Sequence, residues 1–159
     1  EEEDEQESFD PVEAAYHCLQ LAVCLLKDPE LKTLTPQIRS LCDSLIITNI
    51  SSINEDIRLV AVKALHLVCI LKLEVAQKFV PLLLEIIQRD KKEIVVEAFK
   101  GMINCIMAFT IGKLVNSNDL NNTNNNESIN QNDQSLIAEA TGKIMLVMTS
   151  LLDHDDSEM

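Results

Sequence analysis

One helical pattern of apolar and small residues occurs twice in this chain, 37 residues apart. The first copy consists of Ile57, Ala61, Ala64, Leu65 and Val68, and the second of Ile94, Ala98, Gly101, Met102 and Cys105. A weaker copy, 46 residues before the first, consists of Pro11, Ala15, Cys18, Leu19 and Ala22. Spacings of three and four residues place each set on one helix face, and the small residues let neighbouring helices approach closely. A repeat of this length is typical of stacked helical pairs of the HEAT type, in which each unit packs on the next.

The composition favours helices over strands. The chain has 159 residues and is 47% hydrophobic, which is enough for a real core, yet it has no Trp, one Tyr and three Gly. So few aromatic and turn residues argue against a β-sandwich. We therefore predict an all-α fold, a HEAT-repeat α-solenoid segment of about three helical pairs. Arrays of this kind are typical of binding scaffolds.

The charge distribution and the cysteines indicate the kind of cellular compartment in which the protein occurs. The net charge is −13, but six acidic residues lie in the first seven positions and four in the last seven, so the part between them is nearly neutral. No apolar run is long enough to cross a membrane, and no signal peptide is apparent. The five cysteines lack C-x-x-C spacing and fit a reducing cytosol or nucleus. They are Cys18, Cys24, Cys42, Cys69 and Cys105.

Capping signals predict where the helices begin. Asp10 before Pro11, Thr35 before Pro36, and Asn54 each supply a side-chain acceptor for the first turn of a helix. Asp90 opens a fifth helix that extends to about Phe109. The apolar stripe of the first helix is Val12, Ala15, Leu19, Ala22 and Leu26, and the fourth helix carries Phe79, Leu82, Leu83, Ile86 and Ile87, with Pro81 near its beginning.

Composition also divides the chain into segments. Residues 1–9 form an acidic leader that we expect to be disordered, and residues 10–115 hold about five HEAT helices. Residues 116–133, half of them Asn, form a disordered loop inserted within a repeat. Residues 134–152 restore a helical stripe and form the final helix of the array. Residues 153–159 look like the truncated start of a further repeat, so we expect a segment of a longer protein.

Four runs of sequence carry a resemblance to a known family. They are Ser-Leu-Ile-Ile at 44–47, Asn-Glu-Asp-Ile-Arg at 54–58, Ala-Leu-His-Leu-Val-Cys-Ile-Leu at 64–71 and Ala-Gln-Lys-Phe-Val-Pro-Leu-Leu-Leu at 76–84. Their order resembles the C-terminal HEAT-repeat region of condensin complex subunit 3, the CAP-G type subunit. The resemblance covers roughly residues 12 to 158. The Asn-rich loop and the acidic leader depart from the pattern of the family.

The resemblance implies a non-enzymatic subunit without cofactors. Its expected partners are the kleisin subunit of condensin and, through it, the ATPase SMC subunits, with double-stranded DNA bound in the full complex during mitotic chromosome condensation. It implies a nuclear and chromosomal protein with a cytoplasmic pool, and neither a membrane nor a small-molecule substrate. The alternative is a generic HEAT-repeat adaptor that binds a peptide of another complex, such as a trafficking or phosphatase scaffold.

Few residues suggest chemistry of their own. His17 and Cys18 are neighbours that point about 100° apart on a helix, which does not suit a zinc site. His66 and Cys69 are spaced like a nucleophile pair, but no third orienting group is apparent, so a core cysteine beside a histidine at the edge of the face is the preferred interpretation. We predict no catalytic, cofactor-binding or metal residues.

Five basic residues form the candidate contact surface. Lys63 and Lys100 occupy the same position in successive repeats, and Arg89, Lys91 and Lys92 lie at the turn into the fifth helix. Stacking of the repeats would gather them into one small positive patch that contacts DNA phosphates or an acidic partner segment. The alternative is that they are solvated residues that flank an apolar stripe.

Overall fold

The computed structural model describes residues 10–115 and, beyond them, only Gly142, Met145, Leu146 and Thr149. Helices and their connections make up residues 10–115, with no strand among them, so the predicted all-α helical repeat is confirmed. The helices are α1 (Pro11–Leu26), α2 (Pro36–Leu41), α3 (Ile47–Asn49), α4 (Glu55–Cys69), α5 (Leu73–Arg89), α6 (Lys92–Phe109) and α7 (Ile111–Val115), with a π-helical segment, Cys42–Ile46, between α2 and α3. The segments predicted at 1–9, 116–133, 134–152 and 153–159 lie outside the described residues, apart from those four positions.

The first helix of each predicted pair lies in one layer. Helix α4 packs against α1 on one side and against α6 on the other, and α5 packs against both α4 and α6. The π-helical segment contacts α4 and α1, and α3 contacts α4. Helix α4 is therefore the centre of the described fold.

The repeated residues are the interior of this layer. All five residues of the first copy on α4 and all five of the second copy on α6 are buried. On α1, Leu19 and Ala22 are buried, whereas Cys18 is exposed. The prediction that Val12 belongs to the buried stripe of α1 is wrong. Val12 is 46% exposed, because the helices packed against α1 do not cover it.

The three predicted capping residues begin their helices. Asp10 Oδ1 accepts the backbone N–H of Val12 at 2.8 Å, and Thr35 Oγ1 accepts that of Ile38 at 3.3 Å. Asn54 Oδ1 accepts two backbone N–H groups of the first turn of α4, at 3.0 and 3.3 Å. Each cap satisfies donors that have no partner within the helix.

The second helix departs from the regular period in its middle. Residues Cys42–Ile46 are π-helical, a geometry that leaves carbonyl groups of the preceding turn poorly bonded. Hydroxyl and amide side chains bond such carbonyls here: Ser44 Oγ donates to Ser40 O at 2.8 Å, and Asn49 Nδ2 donates to Leu45 O at 2.7 Å. The apolar pattern gave no sign of this change, because Cys42 and Ile46 are still buried.

Helix α5 begins earlier than predicted. Pro81 is the ninth of its 17 residues, so the prediction that proline lies near the start is wrong. The reason is that Ala76 and Val80 are buried and hold two helical turns before the proline. Pro81 itself is exposed, where its missing N–H costs least.

The end of α6 is marked by an unusual backbone conformation. Thr110 has φ 66° and ψ 151°, a conformation that residues other than glycine rarely adopt. Its N–H still donates to Ile106 O at 2.8 Å, and the short helix α7, which the sequence did not predict, follows directly.

Candidate functional site

Helices α4 and α6 lie in close contact at Gly101. A Cβ atom built on Gly101 would lie 2.4 Å from His66 Cβ, much less than a van der Waals contact. The repeated small residue is therefore required here, because any larger side chain would push α6 away from α4. The sequence predicted a close approach at this position but did not identify the residue on the other side.

His66 and Glu97 form a buried polar pair beside this contact. They are 7% and 8% exposed, and His66 Nδ1 lies 3.6 Å from Glu97 Oε1. Burial lowers the pKa of His66, and although Glu97 opposes this shift, the nearby charges of Lys100, Lys27 and Lys63 add to it. The imidazole is therefore neutral at neutral pH. The prediction that His66 lies at the edge of its face missed that α6 covers it.

Three lysines, one on α4, one on α6 and one at the end of α1, influence His66 through their charges. Lys63 precedes His66 by one turn of α4, Lys100 Nζ lies 3.3 Å from Glu97 Oε2 on α6, and Lys27 caps the C-terminal end of α1. The charges of all three act on His66. We call Lys27, Lys63 and Lys100 the lysine face. Lys27 was missed by the sequence analysis because it occupies no repeated position.

The other three predicted basic residues lie at or beside the turn between α5 and α6, and two of them pair with carboxylates. Arg89 Nη1 lies 2.9 Å from Glu85 Oε1, and Lys91 forms an ion pair with Glu55 of α4. Lys92 is exposed, and within residues 10–115 it makes no ion pair. Carboxylates thus already offset two of these charges.

A second polar contact joins the same pair of repeats. Arg58 of α4 donates to both carboxylate oxygens of Asp90, at 3.0 and 3.3 Å, and also to Ser52 O at 2.8 Å. Burial would raise the pKa of Asp90, but hydrogen bonds from Arg58 and from the backbone N–H of Lys91 outweigh it and hold that pKa below its usual value. Arg58 therefore ties the turn before α4 to the turn before α6.

The five cysteines fall into two groups, one exposed to solvent and one buried in the core. Cys18 and Cys24 are exposed, whereas Cys42, Cys69 and Cys105 are buried. Burial raises the pKa of Cys42 to about 11, and a hydrogen bond to Cys105 together with burial raises that of Cys69. The thiol of Cys69 therefore stays protonated, which does not suit a nucleophile.

Metal binding and membrane insertion find no support in the described part of the chain. Within residues 10–115, His17 interacts with Glu13 at 3.5 Å, and no cluster of three or more His, Cys, Asp or Glu side chains is arranged to hold a metal ion. None of the helices described above is long and apolar enough to cross a bilayer.

Helices α1, α4 and α6 stack side by side, and the repeated small and apolar residues of α4 and α6 are buried between them. This arrangement defines a helical-repeat segment. Residues 17–159 match a protein family described as nuclear condensing complex subunits, C-terminal domain. The match covers most of the chain, so the chain belongs to this family, and the predicted relation to condensin complex subunit 3 is confirmed. No curated protein matches the chain. Members of the family are non-catalytic regulatory subunits of a nuclear complex.

Proposed function

We propose that this chain is a HEAT-repeat platform of condensin that binds the kleisin subunit and helps to hold DNA during mitotic chromosome condensation. The observation that carries the proposal is the family match over residues 17–159. Through the kleisin, the platform is joined to the ATPase SMC subunits, which supply the chemistry that this chain lacks. The protein acts on chromosomes in the nucleus and also has a cytoplasmic pool.

The lysine face is the part of the platform that we assign to DNA. Lys27 and Lys63 make no ion pair within residues 10–115, so their charge is available to a phosphate backbone. Within residues 10–115, the ion-pair partner of Lys100 is the buried carboxylate of Glu97. Arg89 and Lys91 are the weaker of the basic residues named from the sequence, since Glu85 and Glu55 already pair with them.

The DNA assignment is tested by charge reversal in the complete condensin subcomplex. Lys63→Glu combined with Lys100→Glu should weaken DNA binding and reduce the slope of log affinity against log salt by about 2, one unit for each lost phosphate contact. Lys32→Glu combined with Lys113→Glu is the matched control, because both lysines are exposed and the change in charge is the same. Equal slopes for both double variants would refute the DNA contact.

The kleisin assignment is tested by co-expression of the 159-residue chain with the kleisin subunit. We expect an equimolar complex that survives size-exclusion chromatography. If the two chains elute separately, this part of the proposal is wrong. Capture of a different peptide by the chain would instead favour the adaptor interpretation.

A further inference from the structure

A cleft lies between the second helices of the two successive repeats. It has a volume of about 150 Å³ and is bordered by α2 and the π-helical segment on one side and by α5 on the other. Helix α5 packs mainly against α4, α6 and α7, and at most marginally against α2 and the π-helical segment. The two second helices therefore leave space between them. We call this space the α2–α5 cleft.

The floor of the α2–α5 cleft is apolar. Five side chains from three helices and the turn before α2 form it: Leu34, Cys42, Val68, Val75 and Phe79. Cys42, Val68 and Phe79 are buried, and the other two are half-buried. An apolar cavity of about 150 Å³ holds a ring of the size of benzene. The cleft therefore has room for one phenylalanine side chain.

Charged side chains stand at the opening of this cleft. They are Arg39, Asp43, Glu74 and Lys78. Glu74 Oε2 pairs with Lys72 Nζ at 2.6 Å, whereas Arg39 and Lys78 make no ion pair with any residue of 10–115. Lys78 Nζ lies 4.8 Å from the centre of the Phe79 ring, so its charge lies next to the apolar floor. The aspartate offsets only one of these two cations, so the opening keeps a positive charge.

A second cleft along α5 shows what distinguishes the first. It has a volume of about 250 Å³ and also has an apolar part, formed by Ile50, Leu82 and Ile86. Both of its guanidinium groups pair with carboxylates that line the same cleft, those of Asp90 and Glu85. Only the α2–α5 cleft thus combines an apolar floor with unpaired cations. One of its walls is also π-helical, a geometry that is frequent at functional sites.

We propose that the α2–α5 cleft binds a short segment of a partner protein in which a phenylalanine lies next to an aspartate or glutamate. The phenyl ring fills the apolar floor, and the neighbouring carboxylate pairs with Arg39 and Lys78. Burial of the ring supplies most of the affinity. The charge-assisted hydrogen bonds of the carboxylate fix the direction of the segment.

The natural ligand that follows from the proposed function is a segment of this kind in the kleisin subunit. That identification rests on the proposed function, whereas the chemistry of the cleft does not. A short synthetic peptide therefore tests the cleft, and the kleisin tests its natural ligand.

The first experiment titrates the 159-residue chain with the peptide acetyl-Gly-Asp-Phe-Asp-Gly-amide and follows methyl groups by NMR. Methyl resonances of Leu34, Val68 and Val75 should shift in a saturable way at millimolar peptide, whereas those of Leu82 and Ile86 in the second cleft should not. A peptide with serine in place of phenylalanine should bind about tenfold more weakly. Replacing both aspartates by asparagine should weaken binding about threefold at low salt and have little effect near about 0.5 M salt. Equal binding of the serine peptide, or shifts only in the second cleft, would overturn the proposal.

Two matched variants place a bulky side chain in one cleft or the other. Val75→Trp fills the α2–α5 cleft and should weaken binding of the peptide at least about tenfold. Leu82→Trp is the control, because Leu82 is a half-buried residue of the same helix that lines the second cleft. Equal affinities of the two variants would contradict the proposed site.

A charge reversal tests the same site without changing its floor. Lys78→Glu should weaken binding of the peptide about fivefold at low salt, whereas Lys113→Glu, at another exposed position, should leave it unchanged. Equal effects of the two reversals would show that the carboxylates do not bind at the cleft.

The final experiment measures the affinity of the kleisin subunit for the chain and for Val75→Trp. We expect the substitution to weaken kleisin binding about tenfold. Unchanged kleisin affinity would refute the kleisin as the ligand of this cleft, although the proposed function would stand. If the peptide binds and the kleisin does not, the cleft is supported and the kleisin part of the proposed function is wrong.

Discussion

Helix α4 has two neighbours in its layer, and the two seams are held differently. Against α1, at the 46-residue spacing, no hydrogen bond or ion pair links described side chains of the two helices, and the α1 side of the seam is apolar, with Leu19 and Val23 in the hydrophobic core. Against α6, at the 37-residue spacing, the seam combines the contact of Gly101 with the His66–Glu97 pair. Similar packing of helices thus permits different ways of fixing their positions.

The difference between the two seams shows which contacts fix the relative position of neighbouring helices. Apolar contacts stabilise a helix pair in proportion to the area they bury, but they tolerate small shifts. The α4–α6 seam is restricted, because a glycine contact and paired polar groups each require one relative position of the two helices. The following four changes test this contrast, from the largest expected effect to the smallest.

Leu19→Ala should have the largest effect and should depend least on solution conditions. Leu19 is fully buried, so its truncation should lower the free energy of unfolding by about 3 kcal/mol. Because the α1–α4 seam is apolar, we expect the same loss at pH 5.5 and pH 8, and in low and high salt, measured by urea unfolding. Leu21→Ala is the control on the same helix, since Leu21 is 70% exposed. A strongly salt-dependent loss for Leu19→Ala would contradict the contrast.

Gly101→Ala should destabilise the protein by about 2 kcal/mol, although alanine is the better helix former by about 1 kcal/mol. The added methyl group overlaps His66 Cβ, which is fixed to the backbone of α4 and cannot rotate away. In Gly112→Ala the added methyl meets nothing within 4 Å, so this control should unfold no earlier than wild type. Thermal unfolding of both variants measures the difference, and equal midpoints would disprove the close contact.

The Arg58–Asp90 pair should show a coupling free energy of about 1 kcal/mol in a double-mutant cycle of Arg58→Met and Asp90→Asn. The pKa of Asp90 is held below its usual value, so the coupling should be complete above about pH 5 and should be lost as the pH falls below about 4. The exposed Arg89–Glu85 pair is the control, and its cycle should give a coupling near zero.

The smallest expected effect is the pH dependence of stability that His66 causes. The pKa of His66 in the folded protein is lower than its ordinary value of 6.5, so the unfolded chain binds more protons as the pH falls through 6.5. Stability should therefore decline by somewhat less than about 1 kcal/mol between pH 7.5 and pH 5.5. His66→Gln should flatten this decline relative to the wild-type protein. Identical pH profiles for the variant and the wild type would show that His66 is not the titrating group.

The sequence predicted the features that depend on neighbouring residues. Asp10, Thr35 and Asn54 begin helices because a cap acts within its own first turn, and the buried face of α4 follows from its period. The residues at 92–109 form one helix as expected.

What the sequence did not predict depends on distant contacts or on small backbone changes. Glu97 was not singled out in the sequence, because its burial and its contact with His66 depend on the packing of α6 against α4. The influence of Lys27 on His66 depends on the packing of α1 against α4, which no local pattern reveals. The π-helical segment leaves the apolar pattern of its helix intact, so no sequence period could reveal it.

The missing side chain of Gly101 has a consequence for the shape of the whole assembly. In a solenoid, each unit is positioned by the one before it, so curvature and pitch are sums of small rotations. A displacement of a few tenths of an ångström where α4 meets α6 changes the angle between neighbouring units slightly. Because such angles add up along a solenoid, units far from this contact move by much more. A single hydrogen atom in place of a methyl group thus helps to set the path along which a partner is held.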